Sequence, residues 1–142
     1  MKNFKIRKNY IKKNWYIIDV SNKILGRVSS FLAFCIMGKN NLNYSYNKDV
    51  GDFFIVINAK NIRVSGKKLN NKIYYKHTGY IGNLKKMTFK DLIKKNPSLI
   101  IKKSVKGMLP KNKLSRKMIK KLKIYPDENY KEISQKPKKI DF

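Results

Sequence analysis

Asp52-Phe-Phe-Ile-Val-Ile57 is a run of aromatic and β-branched residues with no polar alternation after its first carboxylate. A strand with water on one face alternates apolar and polar positions. A run that is apolar throughout suits an interior strand of a parallel sheet, covered on both faces. Trp15-Tyr-Ile-Ile-Asp-Val20 has the same character and is followed by Ser21-Asn22 as a turn or cap. Two such strands demand helices to cover them. Leu25, Val28, Leu32, Cys35 and Ile36 recur at helical spacing, which predicts a helix over 24–37 closed by Gly38. Its second half, Phe31 to Met37, is apolar all round, which predicts burial between layers.

The rest of the chain is punctuated. Residues 39–51 read as a polar loop rich in Asn and Tyr, Ile73-Tyr-Tyr75 as a weaker strand, and 76–88 as a loop carrying Gly79 and Gly82. Thr88-Phe-Lys-Asp91 has a capping pattern, and Asn96-Pro97 places Asn as N-cap with Pro at the first helical position. Ile101, Val105 and Met108 mark the apolar stripe of the second of these helices, and Gly107 and Pro110 are expected to end it. Leu114, Met118 and Leu122 predict one more short helix, with Leu122 to Tyr125 as an edge strand. No repeat is visible at a period of 20–50 residues. Strands alternating with helices make the expected class α/β, with a small, mostly parallel sheet between helices. One domain is expected, divided into a basic leader (1–14), an α/β core (15–125) and a polar tail (126–142) ordered only against a partner.

Charge bears on the partner rather than the fold. Thirty-five Lys and Arg stand against eight Asp and Glu, a net charge of +27 on 142 residues. A chain that repels itself this strongly is suited to a polyanion. A/T-rich coding favours Lys, Asn and Ile, but glutamate codons are A-rich too, and only Glu128 and Glu132 are present. Nucleic acid is therefore the first candidate. The longest apolar run is seven residues, Phe31 to Met37, against the ~20 that a membrane helix needs. The basic N-terminus lacks the apolar segment of a secretory signal. Cys35 is the only cysteine, which excludes an intrachain disulfide and a multi-Cys zinc site and suits a reducing compartment.

Catalysis has little to work with. His77 is the sole histidine, with no carboxylate near it in sequence. Asp19, at a strand end, is where α/β enzymes place functional carboxylates, but capping the next turn is at least as good a reading. Asp49 and Asp52 flank Gly51 and read better as internal salt-bridge partners than as a metal pair. Gly79-x-x-Gly82 is not a P-loop. No catalytic residue, metal or cofactor is expected. By contrast, Lys12-Lys13, Lys67-Lys68, Lys85-Lys86, Lys94-Lys95, Lys102-Lys103 and Lys120-Lys121 are spread along the chain. Any one pair is ordinarily a solvated face; their sum suits sequence-independent contacts to phosphates. Tyr80 sits on a basic loop where it can stack on an unpaired base, and Gly79 and Gly82 permit close backbone approach or simply a turn.

Several fragments, in order, carry a family resemblance: Trp15-Tyr-Ile-Ile-Asp19, Leu25-Gly-Arg27, Gly38-Lys39, Gly51-Asp-Phe-Phe-Ile-Val-Ile-Asn-Ala59, Tyr74-Tyr-Lys-His-Thr-Gly79 with Gly82, Val105-Lys-Gly-Met-Leu-Pro-Lys111 and Leu122-Lys-Ile-Tyr125. Over essentially its full length the chain resembles the bacterial-type large-subunit ribosomal protein family numbered thirteen. The resemblance implies an α/β/α domain that binds large-subunit rRNA and supports assembly of the particle, with RNA-facing elements at 76–86 and 106–117. Tyr46-Asn47, Leu114-Ser115-Arg116 and Met37 depart from the family pattern.

Clusters and resemblance together nominate as RNA contacts Lys12, Lys13, Arg27, Lys39, Lys67, Lys68, Lys76, His77, Thr78, Gly79, Tyr80, Gly82, Lys85, Lys86, Lys106, Lys111, Arg116 and Lys117. The implied partners are large-subunit rRNA and neighbouring ribosomal proteins, with no membrane and no small-molecule substrate. The implied location is the ribosome, in the cytoplasm or in a bacterium-derived organelle. A metal-dependent RNA-acting enzyme and a free nucleic-acid packaging protein are the alternatives.

Overall fold

A computed structural model describes residues 13–141 of the chain. In chain order the elements are β1 (Trp15–Asp19), α1 (Leu25–Met37), β2 (Phe53–Ile57), α2 (Lys68–Asn71), β3 (Ile73–His77), β4 (Leu84–Thr88), α3 (Phe89–Lys95), α4 (Pro97–Met108), α5 (Lys113–Met118), β5 (Leu122–Ile124) and β6 (Lys138–Lys139). β1, β2, β5 and β6 form a parallel sheet of order β5-β2-β1-β6, and β3 and β4 pair separately as an antiparallel hairpin. The fold is α/β, as the pattern of elements predicts.

The two strands with continuous apolar runs are the two interior ones. They pair in register from Trp15↔Phe53 to Asp19↔Ile57, and the Trp15 and Phe53 rings stack with centroids 4.4 Å apart. Ile18, Val20, Phe54, Val56 and Leu122 join the helices in the main core. Ile17 and Ile55, one residue out of phase, are buried as well, so both faces of these strands are covered. From β1 to β2 to β5 the chain steps across the sheet in one direction, so right-handed crossovers put α1 and α3 to α5 on one face. There α1 packs against α4. The step back to β6 runs the other way, so its connection, with the single 3-10 turn Ile133–Gln135, crosses the opposite face.

Local chemistry places the helix ends. Gly38 adopts φ 80° and closes α1 with Gly38 N–H donating to Cys35 and Lys39 N–H to Phe34, a Schellman arrangement. Its backbone lies against Gly51, where a β-carbon would come within 1.8 Å of the Ile36 carbonyl oxygen. Thr88 caps α3, Asn96 caps α4 with Pro97 behind it, and Asn112 caps α5.

Five expectations need correction. Residues 76–88 are not a loop: both flanks are strands, and only 78–83 turn. The second half of α1 is covered on one side only, by the sheet and α4, so Phe34 is 45% exposed and Phe31 and Met37 are half-buried. Gly107 does not end α4, which runs on to Met108. Met108 is exposed, and the core position falls to Leu109, whose N–H still donates to Val105 before Pro110 stops the ladder. Leu122 belongs to β5 rather than to the preceding helix. The segment expected as a tail ordered only against a partner returns to the sheet, pairing Tyr16↔Lys138 and Ile17↔Lys139. Residues 1–12 of the 1–14 leader lie outside the described residues.

Candidate nucleic-acid interface

The hairpin carries the densest group of nominated residues. Its register sets Lys76 directly opposite Lys85 and Tyr75 opposite Lys86. Like charges across a strand pair destabilise it, so this pairing works against the free protein. Strand alternation puts Tyr74, Lys76, Lys85 and Met87 on one face and Ile73, Tyr75, His77, Leu84 and Lys86 on the other. Only the base is anchored. Tyr74 and Met87 pack on the core, and Phe89 N–H donates to the Lys72 carbonyl at 2.9 Å. Beyond them the ribbon stands clear of the core, with Ile73, Tyr75 and Leu84 exposed.

At the tip, Thr78 N–H donates to the Asn83 carbonyl and Gly79 N–H to His77 Nδ1 at 2.9 Å. His77 thus acts as a turn residue. Gly79 and Gly82 have φ of 105° and 74°, a conformation that L side chains rarely adopt, with open space where a β-carbon would stand. Tyr80 (77%) and Ile81 (102%) are presented outward.

A second basic surface lies where α4 turns into α5. Lys102 and Lys103 stand four and three residues before Lys106 on one face of α4, and with Lys111 and Arg116 they line a groove of about 580 Å³. None of its lining residues is acidic. Lys103 also joins the two surfaces: its ammonium lies 5.4 Å from the centre of the Tyr74 ring, with Lys72 5.6 Å away. Burial pushes the Tyr74 phenol above its ordinary pKa.

The remaining nominated residues are dispersed. Arg27 in the first turn of α1, Lys39 beyond its end, Lys67 and Lys68 at α2, and Lys117 on α5 are exposed and belong neither to the hairpin nor to the groove. Lys12 lies outside the described residues. Lys13 is paired with Asp49 at 2.9 Å. The same carboxylate accepts from Lys121, whose ammonium also donates to the Gly51 carbonyl at 2.6 Å. Lys121 is therefore a core residue, not part of a surface pair with Lys120. Burial works to raise the Asp49 carboxyl, but hydrogen bonds from Lys121 and Lys13 outweigh it and hold the acid below its usual range.

The carboxylates considered for chemistry are occupied structurally. Asp52 accepts from the Asn14 N–H at 2.9 Å. Asp19 accepts from the Ser21 N–H and hydroxyl and from Asn58, capping the turn after β1. Burial tends to raise the Asp19 acid too; the Ser21 and Asn58 hydrogen bonds, with Lys23 nearby, leave it lowered.

The family model of ribosomal protein L13 matches residues 13–131, a span that includes the hairpin and the groove. The chain belongs to the ribosomal protein L13 family. Curated relatives named large ribosomal subunit protein uL13 match along nearly the whole length. That of Wigglesworthia glossinidia brevipalpis is 53% identical over 140 residues, covering 99% of both chains. That of Buchnera aphidicola subsp. Baizongia pistaciae is 49% identical over 138 residues, covering 97% of this chain and 96% of its own. The Vesicomyosocius okutanii protein is 48% identical, with 99% of both chains covered.

Within this L13-family chain, reading the sequence missed Lys102, Lys103, Asn112 and Ser115 as lining of the groove. The Lys102-Lys103-x-x-Lys106 spacing on one helix face was the available signal for the lysines. Ser115 falls within the 106–117 span and the Leu114-Ser115-Arg116 departure, but nothing local marks its burial.

Proposed function

We propose that this chain is a non-enzymatic structural constituent of the large ribosomal subunit that binds large-subunit rRNA directly and supports subunit assembly and translation. Membership of the L13 family across residues 13–131 carries the reading. The geometry supports it. A hairpin that places Lys76 against Lys85 is disfavoured alone and favoured against phosphates, and the α4–α5 groove concentrates further positive charge with no acid to offset it. Phosphate contacts from these surfaces position the protein, while exposed Tyr80 offers a ring face to an unpaired base. The exposed Ile73, Tyr75 and Leu84 face also suits neighbouring ribosomal proteins.

The test is sedimentation of a tagged chain expressed in a bacterium. It is expected to co-migrate with large subunits and to remain there through a moderate salt wash. A chain found only at the top of the gradient overturns the reading.

A further inference from the structure

The α4–α5 groove is more than a basic patch. Leu109, Pro110 and Ile119 give it apolar walls. Among them lies Ser115, 8% exposed, whose N–H is taken by Asn112 but whose buried hydroxyl has no hydrogen-bond partner. Lys102, Lys103, Lys106, Lys111 and Arg116 supply its cations. A phosphate is served by the cations and accepts from hydroxyls too, but it gains nothing from apolar walls. A nucleobase needs all three: apolar surface for its ring, a hydrogen-bonding group for its edge, and cations for the phosphates on either side. The volume, about 580 Å³, lies within the ~300–1,000 Å³ usual for sites that enclose a small molecule.

We propose that this groove receives the base of a single nucleotide extruded from the bound RNA, with the Ser115 hydroxyl bonded to the base edge and the surrounding lysines and Arg116 on the flanking phosphates. The proposal rests on the rRNA-binding reading above and adds a site of defined chemistry to it. An unstacked nucleotide in a loop or bulge is the form of RNA that can enter, because a paired base cannot leave its helix without the cost of unstacking.

Gly107 allows a test that leaves charge untouched. It lines the groove from within α4, and a β-carbon there would meet nothing within 4 Å. Gly107→Leu fills space in the groove, and replacing a helical glycine favours the helix. Gly107→Ala is the control for folding, and Ser115→Ala removes the hydroxyl alone. The full chain is titrated with large-subunit rRNA at several salt concentrations, and base edges in the RNA are probed chemically.

Gly107→Leu is expected to lose about fivefold or more in affinity, ~1 kcal/mol. Its melting temperature should be equal or higher and its salt slope unchanged. One unpaired nucleotide should be protected by the native chain and exposed again with Gly107→Leu and Ser115→Ala. Undiminished affinity in Gly107→Leu, or a loss accompanied by a shallower salt slope, overturns the proposal. If the native chain itself fails to bind rRNA, it is the underlying reading that fails.

Discussion

At the scale of single residues, the most consequential side chain is a lysine that does not reach solvent. The Lys121 side chain is 5% exposed and is held by Asp49 and the Gly51 carbonyl. Removing one partner of a buried pair leaves an uncompensated charge, so Asp49→Ala is expected to lower unfolding free energy by about 3–5 kcal/mol. Lys121→Met should cost less, because Asp49 keeps Lys13, and Asp49→Asn with Lys121→Met should recover much of the loss; urea denaturation measures all three. The pH dependence follows from the lowered Asp49 acid. Its contribution is complete above the unfolded value of about 3.9 and is lost as pH falls through the lower folded value, so acid sensitivity should begin below about pH 4 and flatten in Asp49→Asn. Sequence alone exposed half of this pair. Asp49 reads as a salt-bridge partner because acids are scarce, but Lys121 is hidden among 35 basic residues that look alike until burial is known. Cys35 offers a second check. Burial, with Asp52 nearby, pushes its thiol up to about 11. At pH 8 it should react with iodoacetamide only as fast as the chain opens, and at once in denaturant.

At the scale of elements, the hairpin separates stability from function. Lys85→Glu turns a like-charge cross-strand pair with Lys76 into an attractive one and should raise stability by roughly 0.2–1 kcal/mol. The same change should weaken rRNA binding, and calorimetry with filter binding on one variant reads both effects. A variant that gains stability without losing affinity would remove the hairpin from the RNA surface. Gly82→Val tests the tip: with φ at 74° and open space around it, the substitution costs backbone strain rather than a clash, about 1–2 kcal/mol. Of this hairpin the sequence showed only Ile73-Tyr-Tyr75 as a weak strand, while the end of β3 and all of β4 were not legible, for a physical reason. Alternation appears where one face is buried, and here only Tyr74 and Met87 at the base touch the core. The glycines marked the turn and nothing more. β1, β2 and α1 were legible because their buried residues recur with strand and helix periodicity.

At the scale of the whole molecule, internal contacts engage most of the few acids, so little negative charge is left to offset the surface. Asp19, Asp49, Asp52, Asp91, Asp127 and Glu132 all bond within the chain. With about eight phosphate contacts, log affinity for rRNA against log salt should have a slope near −6 to −7. Changing Lys85, Lys86, Lys106 and Lys111 together to Gln should make that slope shallower by about 3 at ~0.7–0.9 per contact, leaving the melting transition in place. The whole fold also has a direction in time. Its first and last strands are neighbours, Tyr16 beside Lys138, while the hairpin and groove lie between them in the chain. On a chain made from its N-terminus, both basic surfaces are synthesised before the strand that closes the β1 edge. Closure of the β1 edge therefore waits for the last residues of the chain, after every residue of the hairpin and the groove has been made.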